Sequence, residues 1–223
     1  MKTYREMMVE AVARTEDWGL GSWCSTLLKT RVGDPAYATK GLTKNKKFWD
    51  FTEWMSRTMD MPPELRATSC AEVHVLVAAR LMAENLPFAP FVTIGDVAWT
   101  GDSCFHVTEV SLKSMLAAGR DMTQKIHIHA WLTFPDMSVL DFTFPPWQCR
   151  QNGEQMNLNE NGALRVFGDP DKLREHIEHR PMLVGPEFLW RTAAASPLAM
   201  HVFKGTQQEW LQKHVTIEKK IKT

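Results

Sequence analysis

Apolar spacing, together with capping and stop residues, predicts an alternation of helices and strands along the chain. The helices that it predicts span residues 4–14, 46–59, 70–85, 111–118, 170–179 and 207–221. Short apolar runs bounded by turn residues predict strands instead. These strands span residues 91–99, 105–110, 126–134 and 138–144. Helices come first, an antiparallel sheet follows and further helices close the chain, which is the order of an α+β fold.

The helix predicted at residues 70–85 begins with a distinctive signature. Its apolar stripe consists of Val73, Leu76, Val77 and Leu81. Ser69 precedes the helix and Glu72 follows three residues later, which is the pattern of a capping box. Cys70 is therefore expected at the first helical position, where unpaired N–H groups and the helix dipole favour a thiolate. The same N–H groups are suited to hold an oxyanion.

The strands at residues 126–134 and 138–144 are predicted to form an antiparallel hairpin that supplies a base and its orienter. His129 lies near the middle of the first strand and Asp141 lies in the second. Facing side chains of such a pair lie about 4.5–5.5 Å apart at Cβ, so the two residues can be neighbours. An aspartate in this place would accept a ring N–H and fix the tautomer of the histidine.

Three stretches of the chain resemble the transglutaminase-like family. Ser69–Glu72, with its apolar helix and the following Leu86–Phe88, resembles the nucleophile helix of that family. His129–Leu132 resembles the histidine strand, and Val139–Thr143 resembles the strand that brings the aspartate. Phe142 stands where the family usually has a proline. The order cysteine, histidine, aspartate is also the order of the family.

The resemblance implies a papain-like fold in which a nucleophile helix packs on an antiparallel sheet. It implies Cys70 as nucleophile, His129 as base and Asp141 as orienter, acting through a thioacyl intermediate without a cofactor. Its core covers about residues 65–145 of one domain, 1–223, decorated by residues 1–64 and 146–223 that include extra N- and C-terminal helices. The family's side-chain oxyanion donor is not assignable by motif. Trp49 and Trp54 are candidates by position.

Composition narrows the partners and the compartment. Lysine plus arginine and aspartate plus glutamate number 26 each, so net charge gives no reason to expect nucleic acid or an acidic membrane. A charged N-terminus and the lack of a long apolar run predict a cytoplasmic protein without signal peptide or membrane span. In that compartment all cysteines are expected to be free thiols: Cys24, Cys70, Cys104 and Cys149.

The function that these observations favour is an amide hydrolase or acyltransferase acting on a protein or peptide amide, with hydrolysis the preferred outcome. Two alternatives stay open. One is a non-catalytic protein- or peptide-binding module on the same fold, with an unreactive Cys70. The other is a metal-dependent enzyme using His127 and His129, to which Cys104 and His106 could add ligands. His74, one turn after Cys70, is expected to pack or cap locally instead.

Overall fold

The chain folds into helices around a curled antiparallel sheet. The computed structural model describes residues 1–21, 46, 48–51, 68–84, 89–119, 127–153 and 165–221, with side chains described up to residue 213. Its helices are α1 Tyr4–Asp17, α2 Cys70–Ala83, α3 Glu109–Ala118, α4 Phe144–Asn152, α5 Pro170–Leu173, α6 Glu187–Arg191 and α7 Pro197–Ile221. Its strands are β1 Phe91–Trp99, β2 Asp102–Ser103, β3 His129–Thr133, β4 Val139–Asp141, β5 Val166–Gly168 and β6 Ile177–Val184. The α+β class is confirmed.

Strand β1 is the centre of the sheet. β6 pairs along one edge of β1, from Thr93 to Trp99. β3 and the short β2 share the other edge, and β4 and β5 extend the sheet beyond β3. All of these pairings are antiparallel. Because β1 is paired on both edges and buried along almost its whole length, it fixes the relative position of the strands that carry the site.

Helices cover both faces of the sheet. On one face, α2 and α7 pack against apolar side chains of β1, β3 and β4 in the larger of two core clusters. On the other face, α1 packs over Trp131 and its neighbours in the second cluster. Two buried hydrogen bonds hold α1 against this face. The Trp131 indole N–H donates to the Tyr4 hydroxyl at 2.8 Å, and that hydroxyl lies 2.7 Å from the Thr133 hydroxyl. Within the described ranges, no helix is both long enough and apolar enough to cross a bilayer.

The strand predicted at residues 105–110 is wrong. The buried carboxylate of Asp96 stabilises a loop here. It accepts hydrogen bonds from the Ser103 hydroxyl at 2.6 Å and from the Phe105 N–H at 3.0 Å. Thr108 then caps α3 reciprocally with Ser111, so the chain enters a helix where the pattern suggested a strand. A side-chain acceptor outside the segment therefore decided its conformation.

The helix predicted at residues 170–179 is also largely wrong. α5 is a single turn, and residues 177–184 form β6 because they complete the free edge of β1.

The predicted second strand of the hairpin ends early, at Asp141, because prolines in the first turn of α4 favour a helix start. The predicted helix at residues 46–59 is helical at 48–51, and residues 52–59 lie outside the described residues.

Gly95 is predicted to be essential for the close approach of the central strands. A Cβ at this position would lie 2.1 Å from the Arg180 carbonyl oxygen and 2.9 Å from the Trp131 ring. Gly95→Ala should therefore lower the free energy of unfolding by roughly 2 kcal/mol or more, measured by urea denaturation.

Gly205→Ala provides the matched control. Gly205 is exposed on α7, and nothing lies within 4 Å of the added Cβ. Because alanine is the better helix former, the free energy of unfolding of this variant should rise by about 0.5–1 kcal/mol. Equal effects at the two glycines would contradict the steric account of Gly95.

Candidate active site

Cys70 is the first residue of α2, at the position that the sequence predicts. The predicted capping box is wrong, because Ser69 makes no side-chain hydrogen bond to the helix. The Glu72 carboxylate instead accepts the Ser196 N–H at 2.7 Å and the Ser196 hydroxyl at 2.6 Å, which ties α2 to the start of α7. The first backbone bond of the helix runs from the Val73 N–H to the Ser69 carbonyl. The amides before Val73 are thus left without a side-chain cap from Ser69.

The antiparallel register brings His129 and Asp141 together. β3 begins at His129 and β4 ends at Asp141, so both residues lie at the same end of the sheet. Leu132 pairs with Leu140, which places Asp141 opposite Trp131 and diagonal to His129 on the same face. His129 Nε2 lies 2.6 Å from Asp141 Oδ2, and both side chains are buried. With Nε2 held by the aspartate, Nδ1 is the ring nitrogen that remains for Cys70.

The Asp141 carboxylate is fully buried and accepts five hydrogen bonds. Oδ1 accepts the N–H and the hydroxyl of Thr143, at 2.9 and 3.1 Å, and the Phe144 N–H at 3.0 Å. Oδ2 accepts ring N–H groups from His129 at 2.6 Å and His179 at 3.3 Å. Burial alone would raise the pKa of Asp141, but the His129 charge and these donors hold it well below its usual range. The carboxylate therefore stays ionised in the interior.

Asp141 in turn determines the protonation of His129. Burial of the ring opposes its charge, but the Asp141 carboxylate and the hydrogen bond to it outweigh burial. A smaller contribution comes from the Cys70 thiol, and together these interactions raise the pKa of His129 to about 10. The Cys70 sulfur also lies 3.6 Å from the Ile128 carbonyl, one residue before the imidazole. At neutral pH, a protonated imidazole therefore lies beside the cysteine.

His74 is neutral and links the start of α2 to the end of β4. Its Nε2 accepts the Phe142 N–H at 3.1 Å, so the proton is on Nδ1, which donates to the Cys70 carbonyl at 2.8 Å. Burial lowers the pKa of His74 to about 4, against the pull of Asp141. The bond to Cys70 agrees with the predicted local role, but the bond to Phe142 reaches the sheet, so His74 also fixes the backbone of Cys70 relative to the end of β4.

His179 is the residue of this cluster that the sequence prediction missed. It lies on β6, paired with Val97, and its Nδ1 is buried without a hydrogen-bond partner among the described residues. Burial lowers the pKa of His179, so the ring is neutral and donates from Nε2 to Asp141. The alternation of residues 177–183, in which Glu178 and Arg180 separate less polar positions, was the available signal for a strand.

An aromatic wall covers the imidazole. Phe105 stacks on His129 with ring centroids 4.5 Å apart and planes 16° apart, and Trp147 contacts Phe105 at 4.8 Å. Both rings line a cleft of about 580 Å³ that reaches Cys70 and His129. Trp49 does not line this cleft, because it packs edge-on against Phe167 at 4.7 Å. The other positional candidate for an oxyanion donor, Trp54, lies outside the described residues.

The remaining candidates for metal binding lie around the same cleft. Cys104, His106 and His127 contribute to its lining. The described part of the chain contains no group of three or more histidine, cysteine, aspartate or glutamate residues arranged to hold a metal ion. Cys70, Cys104 and Cys149 are free thiols, and Cys24 lies outside the described residues.

Comparisons with protein-family models, with curated proteins and with solved structures found no match to this chain.

The two neutral histidines predict acid sensitivity. Below pH 6.5, the unfolded chain protonates residues that stay neutral in the folded protein, His74 down to about pH 4. Stability should therefore fall with decreasing pH, by up to about 1.4 kcal/mol per pH unit for each histidine. His129 acts in the opposite direction, because its stabilising charge is complete below pH 6.5 and lost as pH rises to about 10. Urea denaturation between about pH 4 and pH 10 measures both effects: the loss of stability below pH 6.5, here called the acid limb, and the loss above it.

His74→Gln tests the assignment of the acid limb. Glutamine keeps an acceptor but does not titrate, so the variant should lose part of the slope below pH 6.5. His201→Gln, at an exposed position of α7, controls for the substitution itself. An unchanged acid slope in His74→Gln would show that His74 is not the titrating group.

Proposed function

We propose that this protein is a thiol-dependent amide hydrolase or acyltransferase with a papain-like core, in which Cys70, His129 and Asp141 form the catalytic triad. The observation that carries the proposal is the buried 2.6 Å bond from His129 to Asp141, beside a cysteine at a helix start. A buried carboxylate that keeps an imidazole charged beside a cysteine favours the thiolate form of that cysteine. Protein or peptide amides are the proposed substrates.

The reaction begins from a Cys70 thiolate beside a His129 imidazolium. The sulfur attacks the amide carbonyl carbon, and the electron pair of the C=O bond moves onto the oxygen. Uncapped N–H groups in the first turn of α2 are available to this oxyanion. The oxyanion then reforms the C=O bond as the C–N bond breaks, and His129 donates its proton to the leaving amine. This leaves a thioester on Cys70 and a neutral ring.

Release of the acyl group uses the neutral ring as a base. His129 takes a proton from water, or from an acceptor amine, as that nucleophile attacks the thioester carbonyl. The C–S bond then breaks, the acid or the new amide leaves, and the thiolate–imidazolium pair is restored. Asp141 accepts the ring N–H throughout and keeps Nδ1 directed to the reacting atoms. Of the two outcomes we favour hydrolysis, because transfer to an amine requires that water be excluded.

The proposal predicts selective alkylation of Cys70. Iodoacetamide should modify Cys70 rapidly at about pH 6.5, because the thiolate proposed there is the form that reacts. An ordinary thiol with pKa near 8.5 is only about 1% thiolate at that pH and should react slowly. Mass spectrometry resolves each cysteine, and Cys104, whose pKa is raised by burial, is a slow internal standard. His129→Ala should slow the modification of Cys70 roughly 10- to 100-fold at this pH, and Asp141→Asn should slow it in the same direction.

His127→Ala is the matched control, because this exposed histidine lines the same cleft without contacting Asp141 in the described structure. It should leave the alkylation rate of Cys70 unchanged. If Cys70 reacts no faster than Cys104 and Cys149, the catalytic proposal fails. The binding-module alternative would then account for the fold and its cleft.

A further inference from the structure

The cleft at Cys70 is electrostatically one-sided. Of the described residues that line it, Arg150 carries the only permanent charge, and none is a carboxylate. Arg150 is exposed and has no hydrogen bond or ion pair from its guanidinium within the described structure. Most of the described arginines form an ion pair with a carboxylate, as Arg14 does with Glu109 at 2.8 Å. An unpaired guanidinium in a cleft can bind a planar anion with two parallel hydrogen bonds.

Helix α4 directs this cation into the cleft. Trp147, Arg150 and Gln151 all line the cleft, and their i, i+3, i+4 spacing places them on one helical face. Trp147 packs against Phe144, with ring centroids 5.8 Å apart, and against Phe105 at 4.8 Å. Phe105 in turn stacks on His129. The face that carries Arg150 is therefore joined to the imidazole by a continuous row of aromatic rings.

Arg150 also lies in the last turn of α4, where a cation stabilises the helix dipole. That role needs only a positive charge at the helix end. It does not require the side chain to line a cleft beside a nucleophile, together with an aromatic residue and an amide on the same face. Lysine would serve the dipole equally well but lacks the guanidinium fork.

We propose that Arg150 is a specificity-determining residue that binds a carboxylate of the substrate close to the amide that Cys70 attacks. The inference rests on the proposed function and narrows its substrate class to amides with a neighbouring carboxylate. That carboxylate belongs either to an acidic side chain or to a free chain end, and both present the same planar anion to the guanidinium. The one negative charge proposed in the cleft, the Cys70 thiolate, is balanced by the imidazolium of His129.

Three alkylating probes of nearly equal size test the proposal in place of the natural substrate. N-bromoacetyl-glutamine amide is neutral, N-bromoacetyl-glutamate amide carries a side-chain carboxylate, and N-bromoacetyl-glutamine carries a terminal carboxylate. In each case the Cys70 sulfur forms a bond to the CH₂ carbon of the bromoacetyl group, and the bond from that carbon to bromine breaks as bromide leaves. Rates at Cys70 are measured by mass spectrometry in wild type, Arg150→Gln, Arg150→Lys and Arg80→Gln. Arg80→Gln removes an equal charge from the exposed surface of α2.

We expect at least one anionic probe to react about three- to fivefold faster than the neutral probe in wild type, as an exposed ion pair permits. Arg150→Gln should abolish that preference, Arg150→Lys should retain part of it, and Arg80→Gln should keep it whole. The anionic rate is divided by the neutral rate within each protein, so that a general effect of a substitution on Cys70 cancels. The identity of the preferred probe distinguishes a side-chain carboxylate from a chain end.

Two results would overturn the inference. One is the absence of any anionic preference in wild type, and the other is a preference that survives Arg150→Gln. Both leave the proposed function intact, provided that the neutral probe still modifies Cys70 selectively. Loss of selective reaction with the neutral probe in wild type would instead contradict the proposed function itself.

Discussion

The buried carboxylate of Asp141 is the interaction on which the rest of the site depends. An ionised carboxylate in the interior is tolerated only when donors surround it, and Asp141 accepts five hydrogen bonds from four residues. These donors come from β3, from β6 and from the start of α4. One charge therefore holds three elements in register. Removing one partner of such a buried pair typically costs about 3–5 kcal/mol, so the arrangement is strongly specified.

Three histidines surround this carboxylate, and only one of them is charged. His129 is closest, at 2.6 Å, and its pKa is raised, whereas burial dominates for His74 and His179 and lowers theirs. A single negative charge can stabilise one imidazolium, and further positive charges beside it would repel the first. The cluster thus holds one mobile proton at His129, beside the Cys70 side chain, and the two neutral rings serve as hydrogen-bond partners that fix its surroundings.

Local patterns predicted the elements that position Cys70 and the hairpin. β1 spans the predicted residues, α2 begins at Cys70, and the pairing of His129 with Asp141 followed from the spacing across one turn. These features are short-range in sequence. They could be predicted because periodicity, prolines and turn residues near each element already specify it.

Contacts between distant segments could not be predicted in the same way. Glu72 matches a local capping box, but it bonds to Ser196, 124 residues away. His179 lies in a segment whose ends suggest a helix, and the open edge of β1 makes it a strand. Asp96 bends a segment whose own pattern is that of an extended strand. In each case a tertiary partner outweighed the local preference, as is usual when burial or sheet completion is at stake.

Nitrogen-15 NMR of the histidine rings tests the central claim most directly, because it reports the proton on each ring nitrogen. At about pH 7, the account predicts that His129 is doubly protonated while His74 carries its proton on Nδ1 and His179 on Nε2. Asp141→Asn should convert His129 to a neutral ring at that pH. A neutral His129 in the wild-type protein at about pH 7 would contradict the account, because Asp141 would then not be maintaining an imidazolium beside Cys70.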